Sequence, residues 1–133
     1  MPAILKRNDL VYPELSYQLV GCAYEVFNEL GFGYHEKYYQ RAYAISLKSK
    51  NLTFKEQVYF PLKFKETIVV KSFLDFLVEE KVIVELKKDN RFSKQHIDRV
   101  NDYLKVSEIK LALLINFTRA GVVYMRLLNI IKS

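Results

Sequence analysis

Apolar residues along this chain change their period twice, and the changes mark its elements. From Pro13 to Leu30, the positions Leu15, Leu19, Ala23, Val26, Phe27 and Leu30 recur at helical spacing. Gly31-Phe32-Gly33 ends that helix, because glycine tolerates the left-handed cap. A second helix is predicted from about Tyr34 to Lys50, with Tyr39, Ala42, Tyr43 and Ser46 on one face. The period then shortens. Thr53–Lys65, Thr67–Val78 and Lys81–Lys88 read as strands, with Pro61 marking an edge or a bulge in the first. Asp89-Asn90-Arg91 is a polar loop, and Ser93 is suited to cap a helix reaching about Val106. That helix has a thin apolar side of Ile97, Val100, Tyr103 and Leu104, opposite a wet or functional one of Lys94, Gln95, Asp98, Arg99 and Asp102. Leu111 to Ile115 reads as a strand buried on both sides. A right-handed crossover makes it parallel to the third strand, and a last strand over about Gly121–Leu128 falls at an edge. The order α-α-β-β-β-α-β-β describes an α/β domain, a mixed sheet with helices on both faces. Residues 1–12 are expected to form a loose arm.

Two acids interrupt this pattern. Asp75 and Glu85 each stand against an apolar run, Phe73-Leu74 and Phe76-Leu77-Val78 around the first and Val82-Ile83-Val84 before the second. A carboxylate there needs a cation or donors, because unpaired charge burial costs several kcal/mol or forces protonation. With Lys87 two residues beyond Glu85, the pair suggests a metal site. Register decides whether they meet. If Glu79, Glu80 and Lys81 form a three-residue turn, Val78 pairs with Val82 and Asp75 lies opposite Glu85. A two-residue turn would oppose Asp75 to Val84 instead, with Glu85 on the other face.

Composition narrows the class. The chain of 133 residues is sized for one domain, and 10 Tyr and 9 Phe exclude a disordered segment. A net charge of +6 favours polyanions as partners, nucleic acid first. Cys22 is the single cysteine, which excludes an internal disulfide and fits a reducing cytoplasm. Cys22 itself reads as a small core residue. Met1 to Leu10 lacks the apolar stretch of a signal peptide, and no apolar run is long enough to span a bilayer. The two histidines, His35 and His96, have no zinc spacing and read as surface or core residues. Lys87-Lys88, Arg91 and Lys94 read equally as a nucleic-acid track or as a solvated loop. By position alone, Glu36 in the first turn of the second helix is a helix-dipole partner.

Asp75 followed by Glu85-Leu86-Lys87 resembles the signature of the PD-(D/E)XK, or restriction-endonuclease-like, nuclease superfamily, and the element order resembles its αβββαβ core. More narrowly, Gly33-Tyr34-His35-Glu36-Lys37-Tyr38-Tyr39 is similar to the motif of the bacterial GxxExxY family of small single-domain proteins. Val26 to Gly31, Tyr103-Leu104-Lys105 and Leu113 to Phe117 match it as well, so the resemblance covers about residues 14–129. It implies one nuclease-like domain over 1–133, with an extra N-terminal helix and a C-terminal edge strand.

The resemblance further implies a metal-dependent nuclease cutting phosphodiester bonds, in DNA. Asp75, Glu85, Glu36 and the Leu86 carbonyl would hold Mg²⁺ or Mn²⁺, with Lys87 completing the catalytic set. Arg99, Tyr103, Tyr39, Gln95, Lys88 and Lys94 would contact substrate. Arg99 departs from the family, which commonly has glutamine there. Arginine cannot accept a hydrogen bond but can hold a phosphate bidentately. A homodimer or a partner protein would supply recognition that so small a core lacks. The alternatives are a catalytically silent nucleic-acid-binding module and an assembly protein whose acids only form ion pairs.

Overall fold

The computed structural model describes residues 11–89 and 91–129, so the arm expected over 1–12 lies, apart from Val11 and Tyr12, outside the described residues. Helix α1 (Pro13–Leu30) carries proline in its first turn, where an amide donor has no partner to lose. It ends at Gly31, whose φ of 75° and ψ of −167° are open to glycine but are not the left-handed helical cap expected from the sequence. Helix α2 (Glu36–Ser49) is capped by His35, whose ring accepts from the Lys37 amide. Among the described residues, seven strands follow in chain order with one helix among them: β1 (Phe54–Tyr59), β2 (Leu62–Phe64), β3 (Thr67–Val70), β4 (Phe73–Val78), β5 (Val82–Lys88), α3 (Lys94–Ser107), β6 (Leu111–Thr118) and β7 (Gly121–Leu128). Ser93 caps α3 by accepting from the His96 amide.

Five strands form one mixed sheet in the order β1-β4-β5-β6-β7. The β5–β6 pair is parallel, joined over α3, and the other pairs are antiparallel. Helices α1 and α2 cover one face, where Leu19, Cys22, Val26, Tyr39, Tyr43 and Leu47 pack on Phe76, Val84, Ile115 and Phe117. Helix α3 covers the other with Val100 and Leu104 over Leu77, Ile83, Ala112 and Leu114. This is the mixed α/β layering of a restriction-endonuclease-like fold. Among the described residues, no helix is long and apolar enough to cross a membrane.

Two departures from the expected order matter. The first two long strands each divide in two, because Pro61 cannot donate to a ladder and the chain there leaves the sheet. What leaves is a ribbon. Phe60 N–H donates to the Ser72 carbonyl at 2.8 Å, and Leu62 pairs with Val70 in the register that β1 and β4 already share. A bulge at Val69 then shifts the pairing to Lys63–Ile68 and Phe64–Thr67. Lys65 and Glu66, both at positive φ, form the apex.

The second departure is an opening in the sheet. β4 and β5 join through Glu79-Glu80-Lys81, with Val78 paired to Val82 as the three-residue turn requires. Their ladder stops at Phe76–Val84, yet β4 stays with β1 to Phe73 and β5 stays with β6 to Lys88. The sheet therefore divides into two prongs past that point. Asp75 and Glu85 occupy the fork.

Candidate active site

Local backbone explains why the strands part there. Leu74 and Phe76 lie two residues apart, which strict alternation would put on one face. They pack in opposite cores, so the alternation slips at Asp75. Across from it, between the paired residues Glu56 and Val58, Gln57 sits at a φ of 53°.

The acids then take over from the ladder. Asp75 Oδ2 accepts the Leu86 amide at 2.8 Å, and the Asp75 amide donates to Glu85 Oε2. Main-chain donors that would otherwise face a neighbouring strand end on carboxylates, satisfying the demand that buried amides be paired. In an antiparallel pair a residue donates and accepts along the same edge. The Leu86 carbonyl therefore leaves toward the fork beside its own amide.

Each acid has a further partner from a flanking helix. Gln40 Nε2 of α2 donates to Asp75 Oδ1 at 3.1 Å. His96 Nε2 of α3 lies 3.0 Å from Glu85 Oε1, a charge pair whenever the imidazole is protonated. Glu36, one turn before Gln40, accepts the Lys88 amide at 3.1 Å. Glu85 is buried, while Asp75 and Glu36 are half-buried. Burial first, and then the adjacent Glu85 carboxylate, push Asp75 up to about 8; the Leu86 amide opposes the rise and Glu36 adds to it. A fork holding two carboxylates this close favours a cation. Its hard oxygen donors fit a divalent ion of the Mg²⁺ type.

In the conformation seen, those oxygens are turned toward N–H donors. Among the described residues, no three acidic, imidazole or thiol side chains form a cluster ready to hold a metal. An ion bound there would compete with these N–H donors for the carboxylate oxygens. The donor set is right and the arrangement is closed.

The remaining expected residues separate into four groups. Lys87 is half-buried on the β5 prong, and among the described residues it has no ion-pair partner. Gln95 and Lys94 are exposed at the start of α3, with Lys94 held by Asp98 at 2.9 Å; Lys88 reaches the Gly33 carbonyl at 3.5 Å. Arg99 and Tyr103 belong to the ribbon's root: the Arg99 guanidinium donates to the Phe60 carbonyl and lies 5.0 Å over the Phe60 ring, which also packs edge-on to Tyr103. Tyr39 corrects an expectation. It is fully buried, its hydroxyl donates to the Gly31 carbonyl and its ring stacks on Phe117 at 4.4 Å, so it serves the core and offers no substrate face.

Gln40 and His96 were not singled out as partners of the acids. Gln40 follows Glu36 by one helical turn, and that spacing was readable. The pairing of His96 with Glu85 was not, because it depends on how α3 settles on the sheet.

A family model described as the PD-(D/E)XK nuclease superfamily matches residues 13–127. Among solved structures, the crystal structure of SSO0001 is similar in fold, with a TM-score of 0.52 at 12% identity over 72% of this chain and 50% of that one. This chain thus spans about half the length of that protein. No curated protein matches it.

Proposed function

The chain belongs to the PD-(D/E)XK nuclease superfamily, and on that premise we propose that it is a Mg²⁺- or Mn²⁺-dependent nuclease cutting phosphodiester bonds in DNA. One observation carries the reading: two carboxylates share a fork of the sheet, where burial and mutual repulsion raise Asp75 to about 8. The motif from Gly33 to Tyr39 supports membership of the GxxExxY family. A cytoplasmic setting, and a second copy or partner protein that supplies recognition, complete the proposal.

Asp75, Glu85, Glu36 and the Leu86 carbonyl would hold the divalent ion. When bound, it supplies Lewis acidity toward the phosphate and the attacking water. Gln40 orients Asp75 from one face, and His96 stands 3.0 Å from Glu85 on the other. Lys87 lies on the same strand as Glu85 and two residues along, which aims its ammonium at the same side of the prong. There it stabilises the charge that builds on the phosphate oxygens. A silent nucleic-acid-binding module is favoured by one feature, the amide donors that already occupy the acid oxygens.

The test is cleavage of end-labelled DNA with Mn²⁺, Mg²⁺ or chelator, using wild type, Asp75→Ala and Lys87→Ala. Each substitution is expected to lower cleavage by roughly 100-fold or more with the fold intact. Divalent ion should raise the melting temperature of wild type but not of Glu85→Ala. Full activity in both purified variants would overturn the assignment. Ion-independent melting with no cleavage would leave the silent module standing.

A further inference from the structure

The β2–β3 ribbon is unexplained by the reading so far. Every residue from Leu62 to Val70 is exposed, including Leu62, Phe64, Ile68, Val69 and Val70. An isolated two-stranded ribbon is marginal in water, and exposing this much apolar surface adds to the cost. This one is held at its root. Arg99 grips the Phe60 carbonyl and lies over its ring, Tyr103 packs against the same ring, and Phe60 N–H closes on Ser72. The apex is a tight turn with Lys65 and Glu66 at φ of 51° and 65°. A firmly rooted arm that covers nothing among the described residues is built to meet something else.

Its position and charge say what. The ribbon is the outward continuation of the β1–β4 prong, so it stands beside the fork that holds Asp75 and Glu85. Lys63, Lys65 and Lys71 outnumber the single acid Glu66. The pairing sets Leu62, Val70 and Phe64 on one face, leading from the root to the apex. Phe64 is 65% exposed, with Lys65 Nζ 5.5 Å from its ring centroid. An open aromatic face between lysines matches a base and the phosphates beside it. A second copy of the ribbon would bring like charges together.

We propose that this ribbon is a substrate arm that binds an unpaired segment of nucleic acid alongside the fork, with a base stacked on Phe64 and phosphates on Lys65 and Lys71. The inference rests on the nuclease reading, and it selects a single strand, overhang or flap over a blunt duplex. Bases inside a duplex are stacked on both sides and, the terminal pairs apart, offer no free face to Phe64. Thr67, the partner of Phe64, precedes Asp75 by eight residues, at most about 26 Å of strand. The stacked base therefore lies no more than several nucleotides from the scissile phosphate.

The experiment is fluorescence anisotropy of labelled single-stranded and blunt duplex oligonucleotides of one sequence, in chelator so that no cleavage intervenes. Wild type should prefer the single strand. Phe64→Ala should weaken that binding by roughly 5- to 100-fold and erase the preference, while Phe64→Tyr retains it. Lys65→Ala should reduce the salt dependence by roughly one phosphate contact. Light scattering on the same variants reads the oligomeric state. Equal affinity for both substrates in wild type, or Phe64→Ala binding like wild type, overturns the arm. So does loss of a dimer on Phe64→Ala with affinity unchanged. A chain that binds as described but never cuts refutes the nuclease reading alone; one that cuts with Phe64→Ala affinity unaltered refutes the arm alone.

Discussion

The two ends of the β4–β5 hairpin are built from the same pair of strands by opposite means. At the closed end, Val78 and Val82 are fully buried, and Phe76, Leu77 and Ile83 nearly or fully so. The turn is pinned there to the neighbouring strand. Glu79 Oε2 accepts the amide and the hydroxyl of Thr53 at 2.6 and 2.9 Å, and the Glu79 amide donates to the Thr53 carbonyl at 2.8 Å. At the open end, carboxylates replace main-chain acceptors and the strands part. Apolar burial makes one end stable. Burial, and then the charge of Glu85, make ionisation of Asp75 costly at the other.

The largest blow to this contrast comes from the closed end. Phe76→Ala removes a ring in contact with Tyr43 and Phe54, and is expected to lose roughly 3–5 kcal/mol of stability. Denaturant titration measures it, and a loss below about 1 kcal/mol would mean that this end does not hold the hairpin. At the open end the sign should reverse. Asp75→Asn is neutral without having to hold a proton that the unfolded chain would release, so in chelator at neutral pH it should gain roughly 1–3 kcal/mol while abolishing cleavage.

A smaller effect sharpens the same point through pH. An unfolded aspartate releases its proton near 3.9, whereas folded Asp75 keeps its proton up to about 8. Between those values the folded state binds more protons than the unfolded state, so stability falls as pH rises. This contribution is fully present below about pH 4 and lost by about pH 8. Metal-free melts across that window should show the decline in wild type and a shallower one in Asp75→Asn. Parallel slopes would deny that Asp75 is the group responsible.

Much of this contrast was legible in the chain. The apolar runs around Asp75 and before Glu85 specified buried strands, and the three-residue turn followed from asking which register brings the acids together. Helix bounds followed from Pro13, Gly31 and Ser93, each a local backbone signal. What escaped depends on tertiary packing. Tyr39 reads alike as a substrate contact or a core ring until Phe117 arrives beneath it from β6. Arg99 reads as a phosphate ligand, and its grip on Phe60 at the root of the ribbon was not legible. The division of the long strands was signalled by Pro61, but that the ribbon would leave the sheet was not.

The way the fork closes has a consequence for isotope exchange. The amides of Asp75 and Leu86 are shielded from solvent by side-chain oxygens and not by a neighbouring strand. An ion that claims those oxygens removes the acceptors of these two amides. Their deuterium uptake then accelerates just as the rest of the hairpin, now tied together through the ion, takes up deuterium more slowly. Occupancy of the site is thus written into two protons of the main chain, with opposite sign to that of their surroundings.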